Sequence, residues 1–114
     1  SLYIAKRVID ISQKGLSIPF DIGLTNMAYL YHKSADMKLY LYQQKQIPAN
    51  YNITPHTIYD DYKNAYLSYK FSEYTINTED KPMRRRQLSE IKKTCLSLKI
   101  RYPVFYFINP ADFL

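Results

Sequence analysis

The chain has 114 residues, the length of one domain, and it can bury a modest hydrophobic core. A hydrophobic content of 46% excludes an intrinsically disordered protein. Cys95 is the single cysteine, which excludes an internal disulfide and a cysteine metal site. Because no apolar run is long enough to span a membrane and the N-terminus lacks the layout of a signal peptide, we expect a cytoplasmic protein.

Positive charge is concentrated in one segment of the chain. The formal net charge is +6, but residues 81–101 contain eight Lys or Arg and one acid, Glu90, and so carry +7. The rest of the chain carries −1. Such a basic segment is typical of a contact with nucleic acid or with an acidic protein. Arginine binds phosphate and carboxylate groups equally well, so charge alone leaves both partners open.

A first helix is predicted over residues 2–14, where Ile4, Val8 and Ile11 recur at helical spacing. Ala5 and Ile9 lie beside these three side chains on the same helix. Gly15 follows at the position where helices often end, because glycine adopts a positive φ at low cost.

Two further helices are predicted before residue 50. Asp21 is suited to cap a helix over about 22–34, because its carboxylate can accept a hydrogen bond from a free amide of the first turn. The polar residues that follow favour the start of another helix. Ser34 or Asp36 begins a third predicted helix, which ends near Gln46.

The fourth and fifth helices have the clearest signals. Thr54 is an N-cap, and Pro55 occupies the first helical position, where a missing amide hydrogen costs nothing. The apolar stripe of the fourth helix is Ile58, Tyr62, Ala65, Tyr66 and Tyr69. The fifth helix is predicted over 83–101, and its stripe is Leu88, Ile91, Cys95 and Leu98.

Together these elements predict a mainly α fold, a single compact bundle of about five helices in one domain over residues 1–114. Apolar and aromatic residues outside the helices also predict a short two-stranded β element, formed by 71–76 with 103–108.

The ionisable residues do not predict an enzyme. His32 and His56 are the only imidazoles, and they lie 24 residues apart in the sequence without a Cys near either. Asp60 and Asp61 are adjacent, so they point about 100° apart on a helix and cannot form a facing acid–base pair. Cys95 lies on an apolar stripe without a visible base. We therefore expect a binding protein without a cofactor or metal.

The stretch "YNITPHTIYDDYK" (51–63) fits the turn and second helix of a DNA-binding helix-turn-helix over residues 48–66. In this interpretation the basic helix adds phosphate contacts. The candidate nucleic-acid-binding residues are Arg84, Arg85, Arg86, Lys92, Lys93, Lys99, Arg101 and His56. Pro48 argues against this interpretation, because it lies where the first helix should continue. Asp60 and Asp61 also argue against it, since they would face the phosphates.

Two stretches also resemble the motifs of a known family. In "DIGLTNMAYLYHK" (21–33), an acidic cap leads into a helix with matches at Leu24, Met27, Ala28 and Tyr29. In "YNITPHTIYDDYK", a turn leads into an aliphatic-Tyr-acid-acid-aromatic-Lys run, with matches at Tyr51, Ile58, Tyr59, Asp60, Asp61, Tyr62 and Lys63. The motifs are similar to those of the Panacea domain family, the SocA-like, phage-associated antitoxins. The resemblance covers roughly residues 2–70, although the family's Gly-Pro turn is Asn52-Ile53 here and its preceding Trp is absent.

That resemblance implies a mostly helical domain, encoded by a phage or mobile element, that neutralises a toxin by direct contact and has no active site. The partner-binding residues are then expected to be Tyr59, Asp60, Asp61 and Lys63. Antitoxin-like binding of a protein is the first hypothesis, and binding of DNA is the alternative.

Overall fold

The computed structural model describes residues 1–18 and 23–114, and within them the chain forms four α-helices. The helices are α1 (Leu2–Leu16), α2 (Leu24–Gln43), α3 (Pro55–Ser72) and α4 (Lys81–Arg101). Short 3₁₀ turns are present at Thr78–Asp80, Pro103–Phe105 and Pro110–Phe113. Helix α2 packs against both α1 and α3, and α3 also packs against α4.

The mainly helical bundle is confirmed, but the count of five helices and the β element are wrong for the described residues, because the second and third predicted helices form one continuous α2. Phe71 and Ser72 form the last residues of α3 and not the start of a strand. The segment 103–108 turns at Pro103–Phe105, which buries Phe105 and Ile108 at a spacing of three residues. A strand would instead bring residues two apart to the same face.

Helix α2 is continuous where the sequence predicts a break. The Ser34 hydroxyl is buried and donates a 2.8 Å hydrogen bond to the carboxylate of Asp61. Asp36 accepts a 2.7 Å hydrogen bond from the hydroxyl of Tyr62. Both polar side chains therefore bond to α3 and do not cap a new helix. The predicted cap Asp21 lies outside the described residues.

The buried face of α1 is formed by residues beside the stripe of Ile4, Val8 and Ile11. Its buried side chains are Ala5, Ile9 and Ser12. Ile4 and Ile11, which belong to that stripe, are 58% and 56% exposed. Gly15 does not end the helix but lies inside it, where a Cβ atom would be 2.7 Å from Cδ1 of Leu30. The helix thus packs through Ala5, Ile9 and Ser12 and leaves both isoleucines of the stripe largely in solvent.

Helices α3 and α4 agree closely with the sequence prediction. Thr54 caps α3 by accepting a 3.1 Å hydrogen bond from the amide of Thr57, and Pro55 is the first helical residue. Every residue of the two predicted apolar stripes is buried. These stripes form the centre of the core, which explains why local periodicity alone was sufficient to find them.

The C-terminal segment, residues 102–114, is attached to α3 and α4 by polar side chains. The hydroxyl of Tyr66 donates a 2.9 Å hydrogen bond to the carbonyl oxygen of Phe113. Nζ of Lys99 donates to the carbonyl oxygens of Tyr106 and Ile108 at 2.7 and 2.6 Å. Lys99 therefore has a structural role, in contrast to the nucleic-acid contact predicted for it.

Candidate functional site

The four predicted partner-binding residues of α3 separate into an inner and an outer pair. Tyr59 is buried, and its hydroxyl donates to the carboxylate of Asp112 and accepts from the amide of Asn109 at 3.2 Å. Burial raises the pKa of the Tyr59 hydroxyl above its ordinary value. The ring is therefore occupied in holding the C-terminal segment and is not part of an accessible surface.

Asp61 is the second inner residue. Its carboxylate lies 2.9 Å from Nζ of Lys38, and the two side chains are only 14% and 8% exposed. The Ser34 hydroxyl donates to the same carboxylate oxygen. Of the predicted set, Asp60 and Lys63 remain in contact with solvent, 3.9 Å apart. Of the two adjacent acids of the motif, Asp61 thus has a structural role and Asp60 lies on the surface.

More polar groups surround this ion pair between α2 and α3. Nδ1 of His32 lies 3.3 Å from the hydroxyl of Tyr69, and Nε2 lies 3.8 Å from the Asp36 carboxylate. Burial lowers the pKa of His32 and raises the pKa of Tyr69 to about 12. We call this set the polar layer, and its members are His32, Ser34, Asp36, Lys38, Asp61, Tyr62 and Tyr69. Its members bond to one another, which indicates a structural role.

Arg84 is buried, unlike the two arginines that follow it. Its guanidinium donates to the carbonyl oxygen of Tyr69 at 3.1 Å, to the hydroxyl of Ser72, and to Oε1 of Gln87 at 3.0 Å. Cζ lies 4.6 Å from the centre of the Tyr69 ring. Burial lowers the pKa of Arg84. Arg84 thus bonds to the C-terminal end of α3, and the guanidinium for which a nucleic-acid contact was predicted is buried inside the fold.

Five of the predicted basic residues do lie on the outer surface of α4 or at its end. They are Arg85, Arg86, Lys92, Lys93 and Arg101. His56 is also exposed, but its ring stacks on Phe107 with the centroids 3.9 Å apart. The structure therefore retains a basic surface on α4, without Arg84 and Lys99.

The geometry of residues 44–66 is not that of a helix-turn-helix. The connection between α2 and α3 spans 44–54, whereas the motif has a turn of about three or four residues. Asn50 adopts a left-handed conformation, with φ of 69°, as asparagine often does in a turn. The face of α3 that would read DNA is partly inside the protein, since Tyr59 is buried there.

An apolar cleft lies between α1 and α2. It has a volume of about 410 Å³, and its apolar lining is Ile4, Val8, Ile11, Tyr29, Leu30 and Met37. Lys33 also lines it, and Nζ of Lys33 lies 5.5 Å from the centre of the Tyr29 ring. Tyr29 is 51% exposed, so rings and aliphatic chains of both helices face solvent together.

The cleft was missed because Ile4, Val8 and Ile11 are also the residues that a one-faced helix would bury. The available signal was the width of the apolar arc of α1. Ala5 and Ile9 lie beside the predicted stripe, and one helix cannot bury both sets against one neighbour. A helix with two apolar faces indicates a core contact on one face and a second contact on the other.

Cys95 should resist alkylation in the folded protein. Its side chain is fully buried on α4, and burial raises the pKa of the thiol to about 12, so very little nucleophilic thiolate is present at neutral pH. Mass spectrometry after treatment with iodoacetamide is expected to show one added group only in concentrated guanidinium. Rapid modification of the folded protein would contradict the structural role of Cys95.

No helix in residues 1–18 and 23–114 combines the length and the apolar composition that crossing a membrane would require. Among these residues no group of three His, Cys, Asp or Glu is placed to hold a metal ion. Comparison with protein-family models, with curated proteins and with solved structures gave no match to the chain.

Proposed function

We propose that the protein acts by binding another protein in the cleft between α1 and α2. The observation that carries this proposal is the exposure of Ile4 and Ile11 on one face of α1. Adjacent large aliphatic side chains on a surface are typical of an interface that a partner covers. Tyr29 extends the apolar surface onto α2, and tyrosine is among the side chains that contribute most to binding energy.

Positive charge surrounds the cleft and favours an acidic partner. Arg7 and Lys14 each follow an isoleucine of the cleft by three residues, so they flank the same face of α1. Lys33 lines the cleft from α2. Asp10 is the acid of α1, and it accepts a 2.7 Å hydrogen bond from the hydroxyl of Tyr51 outside the cleft. Lys33 is thus the charged side chain in the lining of the cleft, and Arg7 and Lys14 border it on α1.

An amphipathic helix of the partner is the occupant that fits this cleft. A groove between two helices is commonly filled by a third helix, whose apolar residues recur at spacings of three and four. Asp or Glu beside that stripe would meet the basic rim. The resemblance of residues 21–33 to the Panacea motif supports a partner of toxin type, because Tyr29 belongs to both the motif and the cleft. The proposed setting is the cytoplasm of a host that carries a phage or mobile element.

A growth assay tests this proposal. The chain is produced together with the protein encoded by the neighbouring gene, and wild type is expected to relieve the growth arrest that this protein causes. The double variant Ile4→Asp/Ile11→Asp should lose the relief, because two carboxylates would replace apolar contacts and repel an acidic helix. Loss of a central contact costs about 2 kcal/mol or more, so calorimetry should show a Kd raised by roughly 30-fold or more.

Ile100→Asp is the matched control for that experiment. Ile100 lies on α4, is 84% exposed and undergoes the same chemical change. It should leave both growth and Kd unchanged. The proposal fails if the cleft variant still binds the partner with wild-type affinity. It also fails if the chain forms a dimer that this variant dissociates, because the occupant would then be a second copy.

A further inference from the structure

A second surface lies where α2 and α4 end, and it combines positive charge with aromatic rings. Tyr102 follows α4 directly and is 42% exposed. Its side chain lines two cavities, of about 350 and 300 Å³. Because both cavities include Tyr102 and Gln43, they adjoin each other across these two side chains.

The two cavities differ in chemistry. The first lies between α2 and α4, and Lys93 and Arg101 supply its charge without an acid in the lining. The second is mostly apolar and is lined by Tyr42, Lys45, Pro103, Val104 and Phe105 besides the shared pair. The Tyr42 ring packs edge-on against Phe105, with the centroids 6.1 Å apart, which holds that wall in place. A cationic site is thus joined to a rigid aromatic one.

We propose that this end of the bundle binds a single-stranded nucleic acid. A phosphate is held between Lys93 and Arg101, and the adjoining base stacks on Tyr102 in the apolar cavity. Phosphate contacts and aromatic stacking are the two contributions that single-strand binding combines. Gln43 lies between the two cavities, where its amide can both donate to and accept from the edge of a base.

The outer surface of α4 extends the phosphate path. Arg86 precedes Lys93 by seven residues, which places the two side chains on the same side of the helix about 10 Å apart along its axis. Glu90, the single acid of the helix, is four residues after Arg86 and three before Lys93, so it lies on that same side between them. A duplex could use this charge, but its bases present no free ring face to Tyr102. The aromatic wall therefore favours an unpaired strand over a duplex.

Fluorescence anisotropy with labelled oligothymidylate of about 15 nucleotides tests the proposal, with a duplex of equal length measured beside it. We expect tighter binding of the single strand, and affinity that falls as salt is raised. Lys93→Gln/Arg101→Gln should raise Kd about 10-fold or more. Tyr102→Ala should raise it about 5-fold to 150-fold, while Tyr102→Phe, which keeps the ring, should stay near wild type.

Lys6→Gln/Lys63→Gln is the matched control, because it removes two positive charges from residues that line neither these two cavities nor the α1–α2 cleft. It should change Kd less than about twofold, well below the effect of the α4 variant. Four results would overturn the proposal: no binding at low salt, equal affinity for the duplex, equal loss in the control, or a Tyr102→Phe variant as weak as Tyr102→Ala. Competition by poly-glutamate as strong as by unlabelled oligonucleotide would assign the surface to an acidic protein instead. None of these results depends on the α1–α2 cleft.

Discussion

Replacing Arg84 with alanine should lower the free energy of unfolding by about 3–4 kcal/mol, although two exposed arginines follow it in sequence. Hydrogen bonds from a charged donor contribute about 1.5–3 kcal/mol each, and a buried acceptor left without a partner costs about 1–3 kcal/mol. The variant would lose the donor to the Tyr69 carbonyl oxygen and to the Ser72 hydroxyl. It would also lose the stacking on the Tyr69 ring.

Urea denaturation followed by far-UV circular dichroism measures this loss, and Arg85→Ala is the control. Arg85 is exposed, so its replacement should change the free energy of unfolding by less than about 0.5 kcal/mol. Arg84→Lys should fall between the two, because lysine keeps the charge but not the planar fork of donors. Equal effects of the two alanine variants would contradict the structural role of the buried Arg84 guanidinium.

Asp61→Leu should lower the free energy of unfolding by about 3–5 kcal/mol, the range found when one partner of a buried ion pair is removed. Lys38 would keep its charge inside the protein without a counter-charge. The Ser34 hydroxyl would lose its acceptor as well. Asp60→Leu replaces the neighbouring, exposed carboxylate and is expected to change stability by less than about 0.5 kcal/mol.

The double variant Lys38→Met/Asp61→Leu separates the loss of charge pairing from a loss of packing. Apolar replacement of both partners of a buried pair is often neutral, so the double variant should come within about 1 kcal/mol of wild type in the same denaturation experiment. The difference between single and double variants gives the coupling of the two charges. A double variant as unstable as Asp61→Leu would mean that packing, and not the unpaired ammonium, causes the loss.

Local signals were sufficient for α3 and α4 because the residues that define them act within one or two turns. Thr54 caps a helix that begins one residue later, and the stripe from Leu88 to Leu98 repeats at spacings of three and four. Arg84 lies four residues before Leu88 and so fits the same stripe. Its charge predicted a position on the surface. Its burial is explained by the hydrogen-bond acceptors at the end of α3, which the sequence pattern does not show.

Local signals failed where a side chain bonds to a residue that is distant in sequence. Ser34 and Asp36 fit the start of a helix in the sequence. Their hydrogen-bond partners, Asp61 and Tyr62, are 27 and 26 residues away. On the candidate surfaces, the exposure of Arg85 and Lys93 follows from periodicity. The presence of the cleft does not follow from periodicity, because the apolar pattern of α1 does not show which of its two faces packs against a neighbouring helix.

The polar layer also restricts how α2 and α3 can be aligned. A slip of one helix along the other by one turn, about 5.4 Å, would separate Lys38 from Asp61 and Asp36 from Tyr62. Apolar side chains specify this alignment less sharply than polar ones, because their contacts have no direction. Buried charges and hydroxyls would each be left without a partner. These bonds therefore specify the register of α2 against α3, a property that a melting temperature does not report.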